Sequence, residues 1–270
     1  MGRRGATSAG ALGGGGLGVL AIVVIGYFLG VDLTPLLGGG GGGPVNSAPR
    51  ELSAEEQQAG EFVAVTLADT EEVWADIFRT QLNQTYRPVT LVLFSGATQS
   101  ACGTAGAATG PFYCPPEQKV FLDTDFFVTL ERQLGAGGDF AAAYVVAHEV
   151  AHHVQDELGI LDQANRERER SSETRSNQIS VMIELQADCF SGVWAREAGE
   201  RFGSIERGDI AEAMNAAARI GDDTLQREAG QTVRPDSFTH GTSEQRQRWF
   251  TLGYESGDVG QCDTFGARSL

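Results

Sequence analysis

The stretch Ala147-His148-Glu149-Val150-Ala151-His152-His153 decides how the rest of this chain is read. It has the form H-E-x-x-H and lies in an apolar run over 140–154 whose composition favours helix over strand. Residues four apart on an α-helix project within about 40° of each other, so His148 and His152 form a two-pronged clamp on one face. Two neutral imidazoles at this spacing suit a tetrahedral zinc ion, and Glu149 then lies beside the position the protein leaves open. Three of the chain's four histidines fall in this window, which favours metal binding over chance. His153 projects about 100° away from His152, which assigns it a solvated or hydrogen-bonded role and not a ligand's.

A catalytic zinc takes three protein ligands. The next apolar helix, predicted over 176–198, carries Glu184-Leu185-Gln186-Ala187-Asp188, with two carboxylates on one face. Burying two carboxylates among Ile, Val, Met, Phe and Trp is costly unless a cation and hydrogen-bond donors compensate. A zinc ion compensates one. The other can accept the N–H of a metal-bound histidine and fix its tautomer.

H-E-x-x-H followed on a later helix by E-x-x-x-D resembles the zinc metallopeptidases whose third ligand is a glutamate. That resemblance implies Glu184 as the ligand and Asp188 as the partner of His148. More narrowly, the chain is similar to the neutral zinc metallopeptidase family of bacteria over about 51–265 and in its N-terminal layout. The matching pieces are Ala101-Cys102-Gly103, Gly110-Pro111-Phe112-Tyr113-Cys114-Pro115 and His148-Glu149-Val150-Ala151-His152-His153-Val154-Gln155. Two more are Glu184-Leu185-Gln186-Ala187-Asp188-Cys189 and Ser237-Phe238-Thr239-His240-Gly241-Thr242-Ser243-Glu244-Gln245-Arg246. The resemblance implies one Zn2+, a protein or peptide substrate and a zincin-like, α+β but mostly α domain. A further likeness, to membrane-bound zinc peptidases with a histidine turn and an arginine late in the chain, implies that His240 or Arg246 reaches the cleft to stabilise an oxyanion. Read from the residues alone, His240 stands just before a helix opened by a Thr242/Gln245 capping box.

The rest of the chain places this site. The net charge of −16 argues against a nucleic-acid partner, which would demand a basic face. Arg3 and Arg4 precede an apolar run over 11–31, long enough to span a bilayer with residues 1–10 in the cytoplasm. A cleaved signal peptide is the rival, but no small-x-small site follows the run directly, which favours an uncleaved anchor. Residues 32–50, with an unbroken glycine tract over 38–43, read as a tether, and 51–270 as the domain. A helix capped by Ser53 is expected to run to about Leu67, and a second, capped by Asp69 or Thr70, to carry Val73, Trp74, Ile77, Phe78 and Leu82 at core spacing. Strands are expected over 89–94 and 119–122, and the 112–122 region is a candidate edge for an extended substrate. Residues 161–175 read as a solvated loop or a frayed helix and 208–220 as a packing helix. No cysteine sits in a Cys-x-x-Cys pair, and the four allow three disulfide connectivities. Cys102–Cys114 with Cys189–Cys262 is favoured, in an oxidising compartment.

The chemistry expected is hydrolysis of peptide bonds. Zinc held by His148, His152 and Glu184 activates a water, Glu149 takes its proton and passes it to the leaving amine, and Asp188 braces one imidazole. Two alternatives stand beside it: a non-catalytic, zinc-stabilised binding or scaffold module, and a zinc amidase acting on a non-peptide amide.

Overall fold

The computed structural model describes residues 54–106, 109–124, 126, 138–203, 205–206 and 208–270. The expected anchor, tether and Ser53 cap lie outside them. Among the described residues no helix is long and apolar enough to cross a membrane.

The first helix, α1 (Ala54–Thr80), is continuous where two helices were expected. No Gly or Pro interrupts Leu67 to Glu71, so nothing forces a break. Thr70 turns its hydroxyl back to the Leu67 carbonyl at 2.6 Å instead of capping a new helix. Val63, Val73, Trp74, Ile77 and Phe78 form one buried face along it.

Five short strands follow: β1 (Thr90–Phe94), β2 (Ala97–Ser100), β3 (Gly103–Gly106), β4 (Phe112–Cys114) and β5 (Lys119–Asp123). β1 and β5 are the two predicted strands, and they pair in parallel. β4 pairs antiparallel with the other side of β5, so the sheet order is β1-β5-β4. Of the 112–122 region, then, only β4 lies at an edge; β5 is central and has both sides paired. β2 and β3 form a separate hairpin, built from Gly, Ala, Thr, Gln and Ser without apolar alternation. The Cys102–Cys114 disulfide ties the turn of that hairpin to β4.

The helical layer carries the core. α2 (Asp139–Glu157) ends where Gly159 turns left-handed, at φ 72°, and buries most of its length. Of the two readings of the charged stretch after it, the helix holds: α3 (Ile160–Arg168) forms because Leu161 and Ala164 face inward while Asp162 and Arg166 pair outside, four residues apart. Ser172 then caps α4 (Glu173–Phe202), accepting from the Arg175 N–H, so this helix outruns the predicted 176–198 at both ends. α5 (Asp209–Arg219) matches the predicted packing helix. A short helix that was not expected, α6 (Asp222–Glu228), follows it. α7 (Ser243–Ser256) opens with the Thr242/Gln245 capping box. α2 packs against α1, α4 and α5, and α7 lies along α4.

α4 and α7 approach so closely because glycines face each other across the contact. A Cβ on Gly253 would overlap the Cys189 carbonyl, and one on Gly192 would overlap the Phe250 carbonyl. Both obstacles are backbone and cannot swing aside. Gly253→Ala should therefore lower unfolding free energy by about 1–3 kcal/mol, the usual cost of overpacking. Urea denaturation reads this directly, and an unchanged midpoint would mean that the two helices separate freely.

Candidate metal centre

α2 and α4 cross with their two motifs facing each other. His148 Nε2 lies 3.1 Å from Glu184 Oε2, and His152 Nε2 lies 3.6 Å from Glu184 Oε1. One ligand atom from each of the three residues falls within 4.8 Å of the other two. A tetrahedral zinc with bonds of about 2.0–2.1 Å spaces neighbouring ligand atoms by about 3.3 Å, so two nitrogens and a carboxylate at these separations fit the ion in distance and in donor chemistry. The electrostatics agree. Burial works against charge on His148, yet the Asp188 and Glu184 carboxylates beside it outweigh this and raise its pKa to about 9. Burial likewise opposes the Glu184 carboxylate, and the two motif histidines with His240 hold its pKa well below the usual range. The pocket therefore draws positive charge to the point between these groups.

Glu149 is buried beside His148 on α2. Burial raises its pKa, while His152 and His148 pull it down and Glu184 pushes it up, which puts its carboxylate within charge range of all three. The Tyr113 backbone of β4 also hydrogen-bonds to it. The Tyr113 hydroxyl binds Asp156 at 2.8 Å and meets His153 Nδ1 at 3.1 Å, so β4 is fastened to α2. His153 takes no part in the cluster: it is buried and its Nε2 lies 2.7 Å from the Arg87 carbonyl.

Asp188 stands behind His148, with Oδ1 at 3.0 Å from Nδ1, an ion-pair distance although the ring is turned off the line of an ideal hydrogen bond. Arg246 grips the same carboxylate from α7 with Nε and Nη2, each at 2.8 Å, and Tyr144 donates to it at 2.5 Å. Arg246 is 1% exposed, and its guanidinium is taken up by this carboxylate, because a carboxylate buried in a low-dielectric interior has first claim on it.

His240 lies within charge range of the cluster. It acts electrostatically on Glu184, and burial, which disfavours its charge, is outweighed by Asp222 and Glu184, so its pKa is raised. Asp222 accepts from the backbone N–H groups of Thr239, His240 and Gly241 at 2.6–3.0 Å and lies 3.3 Å from His240 Nδ1. Sequence reasoning missed Asp222; the one available signal was an acidic pair, Asp222-Asp223, directly after a helix end and a glycine.

A helix bearing H-E-x-x-H, set against a helix that supplies a glutamate and an aspartate, defines the glutamate-ligand type of zinc site. The chain belongs to the family described as "Putative neutral zinc metallopeptidase", whose model matches residues 1–265. It is 45% identical over 256 residues to the protein YpfJ of Escherichia coli K12, covering 94% of this chain and 88% of that one. It is 44% identical over 188 residues to Rv2575 of Mycobacterium tuberculosis H37Rv, covering 66% of this chain and 62% of that one. Both relatives are described as uncharacterized proteins. No solved structure matches the chain.

Arg246→Met leaves the Asp188 charge buried without its main partner. Unfolding free energy near pH 7 should drop by about 3–5 kcal/mol, against at most about 1 for an exposed ion pair. Arg246→Lys should recover only part of this, because an ammonium cannot make the side-on double contact.

Proposed function

We propose that this chain is a zinc-dependent peptidase that hydrolyses peptide bonds in extended segments, with its domain held outside the cytoplasm by an N-terminal membrane anchor. The observation that carries the reading is the convergence of His148, His152 and Glu184 on one point, with the Glu149 carboxylate beside them. Zinc held there supplies Lewis acidity, which polarises a carbonyl and makes a water molecule acidic near neutral pH. Glu149 takes the proton from that water and returns it to the leaving amine. Its burial makes it a better proton acceptor than a surface carboxylate, and the hydrogen bond from the Tyr113 backbone holds it in place. His240, engaged on its Nδ1 side by Asp222 and Thr239, turns the other side of the ring to the substrate and donates to the oxygen that gains charge. Asp188 keeps the His148 ring oriented.

The outer side of β4 has no partner strand among the described residues, and it lies next to Glu149. A peptide laid along it is held by backbone ladder bonds without demanding one sequence. Two bridged cysteine pairs, Cys102–Cys114 and Cys189–Cys262, support an oxidising compartment. Arg3 and Arg4 before the apolar run 11–31 support a cytoplasmic N-terminus and a single-pass anchor.

The zinc-loaded full-length chain should cleave members of a peptide library, read by mass spectrometry. Glu149→Gln should lower cleavage by about 10²–10⁴-fold while zinc content stays at one ion per chain. His240→Ala should lower kcat by about 10²–10³-fold with zinc likewise retained. Undiminished cleavage by the Glu149 variant sinks the assignment of the base.

A further inference from the structure

Gln155 is fully buried on α2, three residues beyond His152, and its amide is engaged at both ends. Its Oε1 lies 2.9 Å from His152 Nδ1. Its Nε2 donates to the Ile183 carbonyl at 2.8 Å and to Gln186 Oε1 at 3.0 Å. Gln186 Nε2 in turn donates to the Cys262 carbonyl at 2.9 Å. The two ends of an amide have the same shape, so its orientation must be read from its partners. Here the partners leave one solution. Backbone carbonyls only accept, so both NH2 groups face Ile183 and Cys262, and both amide oxygens face towards the metal site. The last of these oxygens can only accept from His152. His152 therefore carries a proton on Nδ1, which leaves Nε2, the nitrogen facing Glu184, as the one that can bind a metal. That is the form in which a histidine binds a metal.

We propose that Gln155 and Gln186 are positioning residues that hold His152 in its metal-binding tautomer, with the disulfide-fastened C-terminal segment as the anchor of this relay. Cys189–Cys262 bridges a separation of 73 residues and fixes the residue whose carbonyl starts the chain of hydrogen bonds. Thr264 fastens the segment a second time, donating to the Met182 carbonyl at 2.7 Å. Neither cysteine belongs to the metal cluster, yet opening the bridge loosens the Cys262 carbonyl and with it the Gln186 amide that backs Gln155. The proposal rests on the zinc reading given above.

Two measurements on the full-length chain test it. Histidine-selective 15N NMR of the metal-free wild-type chain should show His152 protonated on Nδ1; a proton on Nε2 overturns the proposal without any variant. Zinc affinity, measured by competition with a chelator, should fall about 10–100-fold in Gln155→Met, as is usual when the partner of a ligand is lost. It should also fall, by less, in the double variant Cys189→Ser, Cys262→Ser. In Gln155→Met the His152 proton should also redistribute towards Nε2, which a loss of packing alone would not cause. If that variant does not fold, the wild-type spectrum and the cysteine variant decide. A wild-type chain that binds no zinc sinks the metal reading and this proposal together. A wild-type chain that binds zinc while Gln155→Met keeps full affinity sinks the proposal alone.

Discussion

The Asp188 carboxylate has no exposed surface and still carries its charge, with a pKa held below the usual range by Arg246 and His148 against the effect of burial. The effective penalty for burying an ion is several kcal/mol, so such a group persists only if every neighbour is in place. The neighbours come from three helices: Tyr144 and His148 from α2, Asp188 itself from α4, and Arg246 from α7. A well-packed apolar cluster of the same volume could hold those helices together as tightly. It could not aim an imidazole. The arrangement is better read as fixing direction than as adding stability, and the direction it fixes is that of His148 towards Glu184.

The two histidines of the clamp are supported by different chemistry. His148 faces a carboxylate, itself neutralised by a guanidinium, whereas His152 faces the neutral oxygen of Gln155. A charged partner raises the basicity of a ligand more than an amide does, so the two imidazoles differ as donors although the helix presents them as a matched pair. Each support also reaches a part of the chain distant in sequence, α7 in one case and Cys262 in the other. The α2 helix is thus braced from behind by residues that come after it, and the segment around Cys262 belongs to the site's foundation.

This pattern explains which parts could be read from the sequence. His148, Glu149, His152, Glu184 and Asp188 are separated by steps of one and four within two helices, and helical period alone brings each set to one face. The β-favouring run of β1 and the capping box of α7 are equally local signals. Gln155 stands three residues from His152 on the same helix, but an amide fits as well on a surface as in a core, and Gln186, Asp222 and the inward turn of Arg246 have no such rule, since their partners lie 17 to 102 residues away. The single helix α1 was missed for another reason. Asp69 and Thr70 are good caps, but each is also tolerated inside a helix, and only the uninterrupted apolar face from Val63 to Phe78 settles the matter. The charge of α3 left loop and helix both open, because as few as two inward residues, Leu161 and Ala164, anchor this nine-residue helix.

The size of β4 bears on how a peptide would be handled on the reading proposed here. A long flat edge strand invites permanent pairing and aggregation, and proteins keep exposed edges short or covered. β4 has three residues, ends in a bridged cysteine and is tied by Tyr113 to the catalytic helix. The Phe112 and Phe121 rings stack across the β4–β5 pair at 4.9 Å, which stiffens the strand from its inner side. An edge this short offers a substrate only a few ladder bonds. That is enough to set the direction and depth of a chain beside Glu149, and too little to retain the product once the peptide bond has been broken. A longer strand would bind substrate and product alike more tightly, and uniform binding of that kind does not speed the chemical step.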